Sequence, residues 1–225
     1  MTAGRQARLL AWGVPLGPLM ANAYLVADEV TREAVVVDPG QDPAPFLARL
    51  REEGWRVRAL VCTHAHFDHI GGAREVQAAT GAVLCVPAAE QTWLFDPARN
   101  LSAALTAAGV PEVRLDGVES RPIEGGWMMA LGSSRVVALS TPGHTPGGLS
   151  YHVPDLGETG AVFTGDTLFA GTVGRTDLPG GDPDSLMRSI RTALLSLPEG
   201  TIIFPGHGRA TTVGEEREFN PFLGG

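Results

Sequence analysis

Val61-Cys62-Thr63-His64-Ala65-His66-Phe67-Asp68-His69 is the stretch on which the reading of this chain turns. It starts inside the apolar run Val57–Thr63, a strand pattern, and ends in three histidines and an aspartate within six residues. Imidazole is the commonest biological ligand for borderline cations, so histidines concentrated this way point to a metal site. His64 and His66 are two apart and face the same way on an extended backbone. Asp68 and His69 come where the chain turns into a helix, placed to face a second ion.

Working outward, the same layout recurs. Leu139–His144, Val162–Asp166 and Ile202–His207 each run from an apolar strand into a polar, metal-competent residue. Strand ends on one sheet edge lie side by side, so ligands from distant sequence can converge. Gly143, Gly165 and Gly206 permit tight turns and close backbone approach. A lone buried histidine is ordinarily a core or capping residue. Three in six residues, with His144 and His207 in strand-end turns, outweigh that reading. His152, inside Leu149–Val153, has no partner motif and belongs to the ordinary surface or core class. Five imidazoles and two carboxylates, Asp68 and Asp166, suffice for two cations with three or four protein ligands each. Asp166 is placed to bridge them.

Further strands are expected at Arg8–Trp12, Ala23–Ala27, Ala34–Asp38, Ala82–Val86, Met128–Leu131, Val136–Ser140, Gly148–Val153, Ala161–Gly165 and Thr201–Pro205. Helical spacing appears at Pro43–Glu53, Ile70–Ala79, Ala88–Ala108 (broken near Pro97) and Pro183–Ser196, the last capped by Asp182. No linker or low-complexity tract divides the 225 residues, so a single domain, 1–225, is expected. The net charge of −8 and the lack of a basic run argue against nucleic acid. Arg5 and Arg8 before Leu9–Val26 resemble an export signal, but Gly13, Pro15, Gly17 and Pro18 break it into two strands and a turn. No unbroken apolar stretch is long enough to span a membrane. Cys62 and Cys85 lie in apolar runs and read as buried small hydrophobes, which suits a reducing, cytoplasmic setting.

With Val37-Asp38-Pro39-Gly40, Thr63–His69, His144, Asp166 and His207 in place, the chain resembles the metallo-β-lactamase superfamily over nearly its whole length. The resemblance implies an α/β (α+β) fold, a four-layer αββα sandwich with metals at one edge. Gly165–Phe169, Gly174–Asp177, Pro205–Gly208, Thr211–Glu216 and Asn220-Pro221-Phe222 are similar to glyoxalase II (hydroxyacylglutathione hydrolase) of the short bacterial type. By that resemblance His64, His66 and His144 hold one Zn²⁺, Asp68, His69 and His207 the other, and Asp166 both. Fe or Mn are alternatives. Asp38 and Thr63 support the ligands from behind.

The implied activity is hydrolysis of a small-molecule thioester, such as S-D-lactoylglutathione, through a metal-bridging hydroxide, with Asp68 also orienting the nucleophile. Two departures bear on the substrate. The chain stops 18 residues after His207, so the helical domain that grips glutathione in the long type is not expected. Arg209 stands where the long type places a tyrosine. Arg175 is a candidate for a substrate carboxylate, its alternative being a structural pair with Asp177. Other chemistries on the same fold are a mononuclear iron persulfide dioxygenase using His64, His144 and Asp166, and a lactone hydrolase. β-Lactamase activity ranks lower, since that role usually goes with export. Oligomeric state is open.

Overall fold

Period-two alternation builds the centre of the molecule. The computed structural model describes residues 8–224, and Arg5 lies outside them. In β2 (Ala21–Asp28), Ala23, Leu25 and Ala27 join one core while Tyr24 and Val26 join another. β3 (Glu33–Val37) does the same with Ala34 and Val36 against Val35 and Val37. All of these are buried, because both faces of the sheet are covered.

That first sheet runs β1 (Leu9–Leu16), β2, β3, β4 (Arg56–Val61), β5 (Leu84–Pro87), β6 (Ser120–Ile123). Its first three strands are antiparallel and the rest parallel. The second sheet runs β14 (Thr211–Thr212), β13 (Ile202–Pro205), β10 (Ala161–Gly165), β9 (Leu149–Val153), β8 (Ser134–Ser140), β7 (Met128–Leu131). A hairpin of β11 (Leu168–Phe169) and β12 (Thr172–Val173) follows β10. Tyr24, Val35 and Val61 from one sheet meet Val136, Tyr151 and Phe163 from the other in the inner core. Truncating one of its large residues, Phe163→Ala for example, costs about 3–5 kcal/mol.

The outer face of the first sheet is covered by α1 (Ala44–Glu53) and α3 (Ala73–Thr80), through Phe46, Leu47, Leu50 and Val76. The outer face of the second is covered by α4 (Pro183–Ser189) and α5 (Val213–Phe219), through Leu186 and Val213. The result is the expected αββα sandwich. Among the described residues no helix is long and apolar enough to cross a membrane. Cys62 lies in the outer core and Cys85 in the inner one, on opposite faces, both free. They are the small buried hydrophobes expected.

Several elements differ from the sequence pattern. β1 continues through Gly13 and Pro15 to Leu16, since an edge strand tolerates proline, and the turn comes at Gly17–Met20. The helix expected over Ala88–Ala108 is instead two 3₁₀ segments, Ala88–Phe95 and Ser102–Ala108. Between them the Asp96 and Asn100 side chains accept the Ala98 and Ser102 N–H groups, bonds that compete with helix. The expected Ile70–Ala79 helix splits into α2 (Phe67–Ile70) and α3 at Gly71-Gly72, where Gly72 donates to the Gly40 carbonyl. In the last expected helix, Asp182 caps α4 as read, but Ile190–Leu194 is a π-turn. Strands β6, β11, β12 and β14 and helix α5 were not foreseen, although Thr212 and Glu215 form a full capping box.

Candidate metal centre

The C-terminal ends of β4, β8, β10 and β13 deliver their polar residues to one edge of the sandwich, as the spacing predicts. The ligand atoms of His64, His66 and His144 lie within 4.8 Å of one another, and so do those of Asp68, His69 and His207. Asp166 stands between the two groups. Its Oδ1 is 3.4 Å from His69 Nε2, and its Oδ2 is 3.7 Å from both His144 Nε2 and His207 Nε2. Asp68 Oδ2 is 3.3 Å from His207 Nε2. All seven predicted ligands therefore converge.

Each imidazole is aimed by what holds its other nitrogen. Asp38 accepts the Thr63 N–H and hydroxyl, both at 2.7 Å, and His69 Nδ1–H at 3.0 Å. With its proton given to Asp38, the Thr63 oxygen accepts His64 Nδ1–H at 3.0 Å. His144 Nδ1–H donates to the Arg175 carbonyl at 2.8 Å, and His207 Nδ1–H to the Leu19 carbonyl at 3.1 Å. The Nε2 atoms of these four histidines are thereby turned toward the centre, where His144 Nε2 lies 3.1 Å from His66 Nδ1. Asp38 reaches its three donors from a left-handed backbone, φ +50°, which aspartate tolerates better than most residues.

Whether a cation fits can be judged from orphaned atoms. His64 Nε2, His66 Nε2, His69 Nε2 and Asp166 Oδ1 are buried without a hydrogen-bond partner. Native interiors rarely leave such atoms unsatisfied, and nitrogen and carboxylate donors packed this closely suit a divalent ion. Two glycines make room. A Cβ on Gly206 would collide with Asp166 Oδ1 and His69, and one on Gly165 (φ +49°) with the Thr63 side chain.

The two groups differ electrically. Burial pushes His64 well below the ordinary histidine range and takes His66 down to about 3, with His144 adding to it. His69 is raised: burial opposes its charge, but Asp68, Asp166 and Asp38 outweigh burial. Asp68 and Asp166 are both held below the usual carboxylate range, burial being overcome chiefly by His69.

Sequence reasoning missed two supports. Glu90, fully buried, accepts Ala65 N–H at 2.7 Å and Gly147 N–H at 2.8 Å. It ties the His64–His66 loop to the loop after His144, and burial raises its pKa against the opposing pull of those bonds. A lone acid in the mostly apolar Pro87–Phe95 is the available signal. Asn22 Nδ2 donates to the carbonyls of Pro205 and Gly208, both at 3.0 Å, and Tyr24 donates its hydroxyl to Pro205 at 2.7 Å. No sequence pattern announces these. The Arg175 guanidinium grips Asp177 with two bonds of 2.7 Å, the structural pairing weighed above, while still lining the cavity at the centre. Arg209 donates to the neighbouring Ala210 carbonyl at 3.2 Å.

The model of the metallo-beta-lactamase superfamily matches residues 16–207. The chain belongs to the metallo-beta-lactamase superfamily. Within that superfamily it is 39% identical to the probable metallo-hydrolase YqgX of Bacillus subtilis, over 94% of this chain and 96% of the relative. It is 33% identical to hydroxyacylglutathione hydrolase GloC of Haemophilus influenzae, over 93% of this chain and 96% of that protein. Among solved structures, BLEG-1 B3 metallo-beta-lactamase is 38% identical, with TM-score 0.88 over 96% of this chain and 100% of that one. TTHA1623 in a di-iron-bound form is 38% identical, with TM-score 0.79 over 94% and 100%. The chain is thus a metallo-hydrolase of this superfamily, and its His/Asp cluster suits divalent metal.

Proposed function

We propose that this metallo-hydrolase cleaves a small-molecule thioester, with S-D-lactoylglutathione the first substrate to try. One observation carries the reading. Among the described residues the carboxylates lining the cavity are Asp68 and Asp166, and both belong to the ligand groups, so neither is left over as a separate acid for a leaving group. A thiol, with a pKa of about 8.5, leaves as thiolate without one. The GloC relative supports the same chemistry by its name.

In this reading His64, His66 and His144 would hold one ion and Asp68, His69 and His207 a second, with the Asp166 carboxylate available to either. Bound there, the ions supply water with a pKa near 7 and a Lewis acid for the carbonyl. The chain's own part is positional. Asp68, ionised and beside His207, accepts a proton from water and orients it. Thr63, Asp38 and the Leu19 and Arg175 carbonyls keep four of the imidazoles pointed inward. Nitrogen and oxygen donors accept zinc, iron or manganese, and the di-iron form of TTHA1623 makes iron as strong a candidate as zinc. Cytoplasmic placement, and a small molecule rather than nucleic acid or membrane as partner, remain part of this proposal.

The test is S-D-lactoylglutathione hydrolysis with metal content measured on the same sample. Turnover with about two metals per chain, abolished in His66→Ala, is expected. Metal-replete protein inert toward every thioester would sink the reading. Oxygen uptake with glutathione persulfide would mark the dioxygenase instead. A second reading, β-lactam hydrolysis, is favoured by the likeness to BLEG-1, and nitrocefin turnover tests it.

A further inference from the structure

In front of the centre lies a cavity of about 290 Å³ whose floor is His66, Asp68, His144, Asp166 and His207. Its walls are of another chemistry. Leu19, Phe67, Leu101, Leu105 and Leu178 line them, with Ala104 between. Among the described residues Arg175 is the one guanidinium or ammonium group in the lining, and Asp177 already holds it in a two-bond pair. A tripeptide thiol such as glutathione, bearing two carboxylates and an ammonium, finds few free polar partners here.

The leucine wall is built rather than incidental. Leu101 is held left-handed, φ +70°, a conformation that side-chain-bearing residues avoid and that persists only where neighbours enforce it. The enforcing neighbour is Asn100, fully buried. Its Nδ2 donates to the Trp93 and Val113 carbonyls at 3.0 and 2.9 Å, and its Oδ1 accepts from Ser102 N–H and hydroxyl at 3.1 and 2.7 Å. This fixes the turn that carries Leu101 and starts the 3₁₀ segment bearing Ala104 and Leu105. Leu19 is indexed to the centre directly, through the bond between its carbonyl and His207.

We infer that this wall seats the aliphatic chain of the acyl group, so that medium-chain acyl thioesters are turned over faster than short hydroxyacyl ones. The inference rests on the thioester reading above and narrows it. The volume is that of about ten waters, at roughly 30 Å³ each, which accommodates a straight acyl group of about six to eight carbons. In the reaction, water oxygen bonds to the acyl carbon and the carbon–sulfur bond breaks. The products are a carboxylate, a thiol and one proton.

The experiment is a chain-length series. With N-acetylcysteamine as the common thiol, kcat/KM rises about three- to fourfold per methylene from acetyl to the C6–C8 range, then levels. Leu105→Glu and Leu19→Asp, at half-buried and exposed positions, each lower the octanoyl-to-acetyl ratio about tenfold or more at wild-type metal content. A flat series overturns the inference. So does a slope that appears only when acetyl is fixed and the thiol is lengthened, since the wall would then face the leaving group. Calorimetry of acetate against octanoate on metal-loaded protein is independent of turnover. Octanoate binding tighter by tenfold or more, and losing that margin in Leu105→Glu, upholds the chain site even if no thioester is cleaved, in which case only the thioesterase reading falls. Equal affinities overturn the chain site.

Discussion

The two halves of the centre are held in different ways. His64, His66 and His144 form a closed, nearly dry group, with ring centroids 4.6–4.9 Å apart. Its loops are tied by Glu90 through backbone N–H groups. Asp68, His69 and His207 mix carboxylate with imidazole, and the His207 side chain is 30% exposed against 5% for His144. One half relies on neutral ligands and a rigid frame, the other on balanced charge at an open rim. Equal ligand number therefore does not imply equal grip.

Removing what the halves share has the largest effect. Asp166→Asn should cost at least about 100-fold in kcat/KM, beyond the 10–100-fold typical of residues behind the ligands, and should lower metal content in both halves. Unchanged metal and turnover would break the shared role. Next, Glu90→Ala should weaken the ion at His64/His66/His144 by about 10–100-fold in chelator competition, while the other half keeps its affinity. Equal losses in both halves would erase the distinction drawn here. On dialysis against a chelator, metal should leave in two phases, with the rim half (Asp68, His69, His207) emptying first. His207→Ala should abolish the fast phase and spare the slow one.

The smallest effect lies outside the centre and calibrates the others. Asp182 caps α4, whose chain joins the His144 loop through the Asp182 N–H bond to the Gly143 carbonyl. Bonds from the Ser185 backbone and hydroxyl hold its carboxyl below the usual range. A depressed carboxylate stabilises above its unfolded pKa of about 3.9, and that contribution is lost as pH falls through the folded value. Asp182→Ala should lower Tm by a few degrees near neutral pH, and the two proteins should converge in acid. A gap that persists in strong acid would refute the cap's charge dependence.

Much of this was legible beforehand. Candidate ligands come from few residue types, here histidine and carboxylate, and here they cluster at or just beyond strand ends, so residue type and local pattern suffice to pick out His64, His66, Asp68, His69, His144, Asp166 and His207. β2 and β3 stand out as near-continuous apolar runs, because both faces of their sheet are covered. Supports are harder to see. Glu90 and Asn22 act on backbone N–H and carbonyl groups far along the chain, and backbone partners leave no trace in residue identity. The 3₁₀ segments escaped because Asp96 and Asn100 redirect the backbone by side-chain bonds that helical spacing does not register. The leucine wall escaped because only Leu101 and Leu105 share a spacing, while Leu19 and Leu178 lie far along the chain and join them only in three dimensions.

The bonds from Asn22 and Tyr24 to the Pro205 turn also set a clock. They span 181–186 residues of chain, among the most distant contacts the fold makes. At synthesis rates of about 5–20 residues per second, β2 emerges roughly 10–40 s before the turn that it anchors. Long-range closure of this kind is slow and comes late. His207 is thus the last of the seven candidate ligands to be made, so the group of Asp68, His69 and His207 closes only after the Pro205 turn has formed, whereas His64, His66 and His144 are all made earlier.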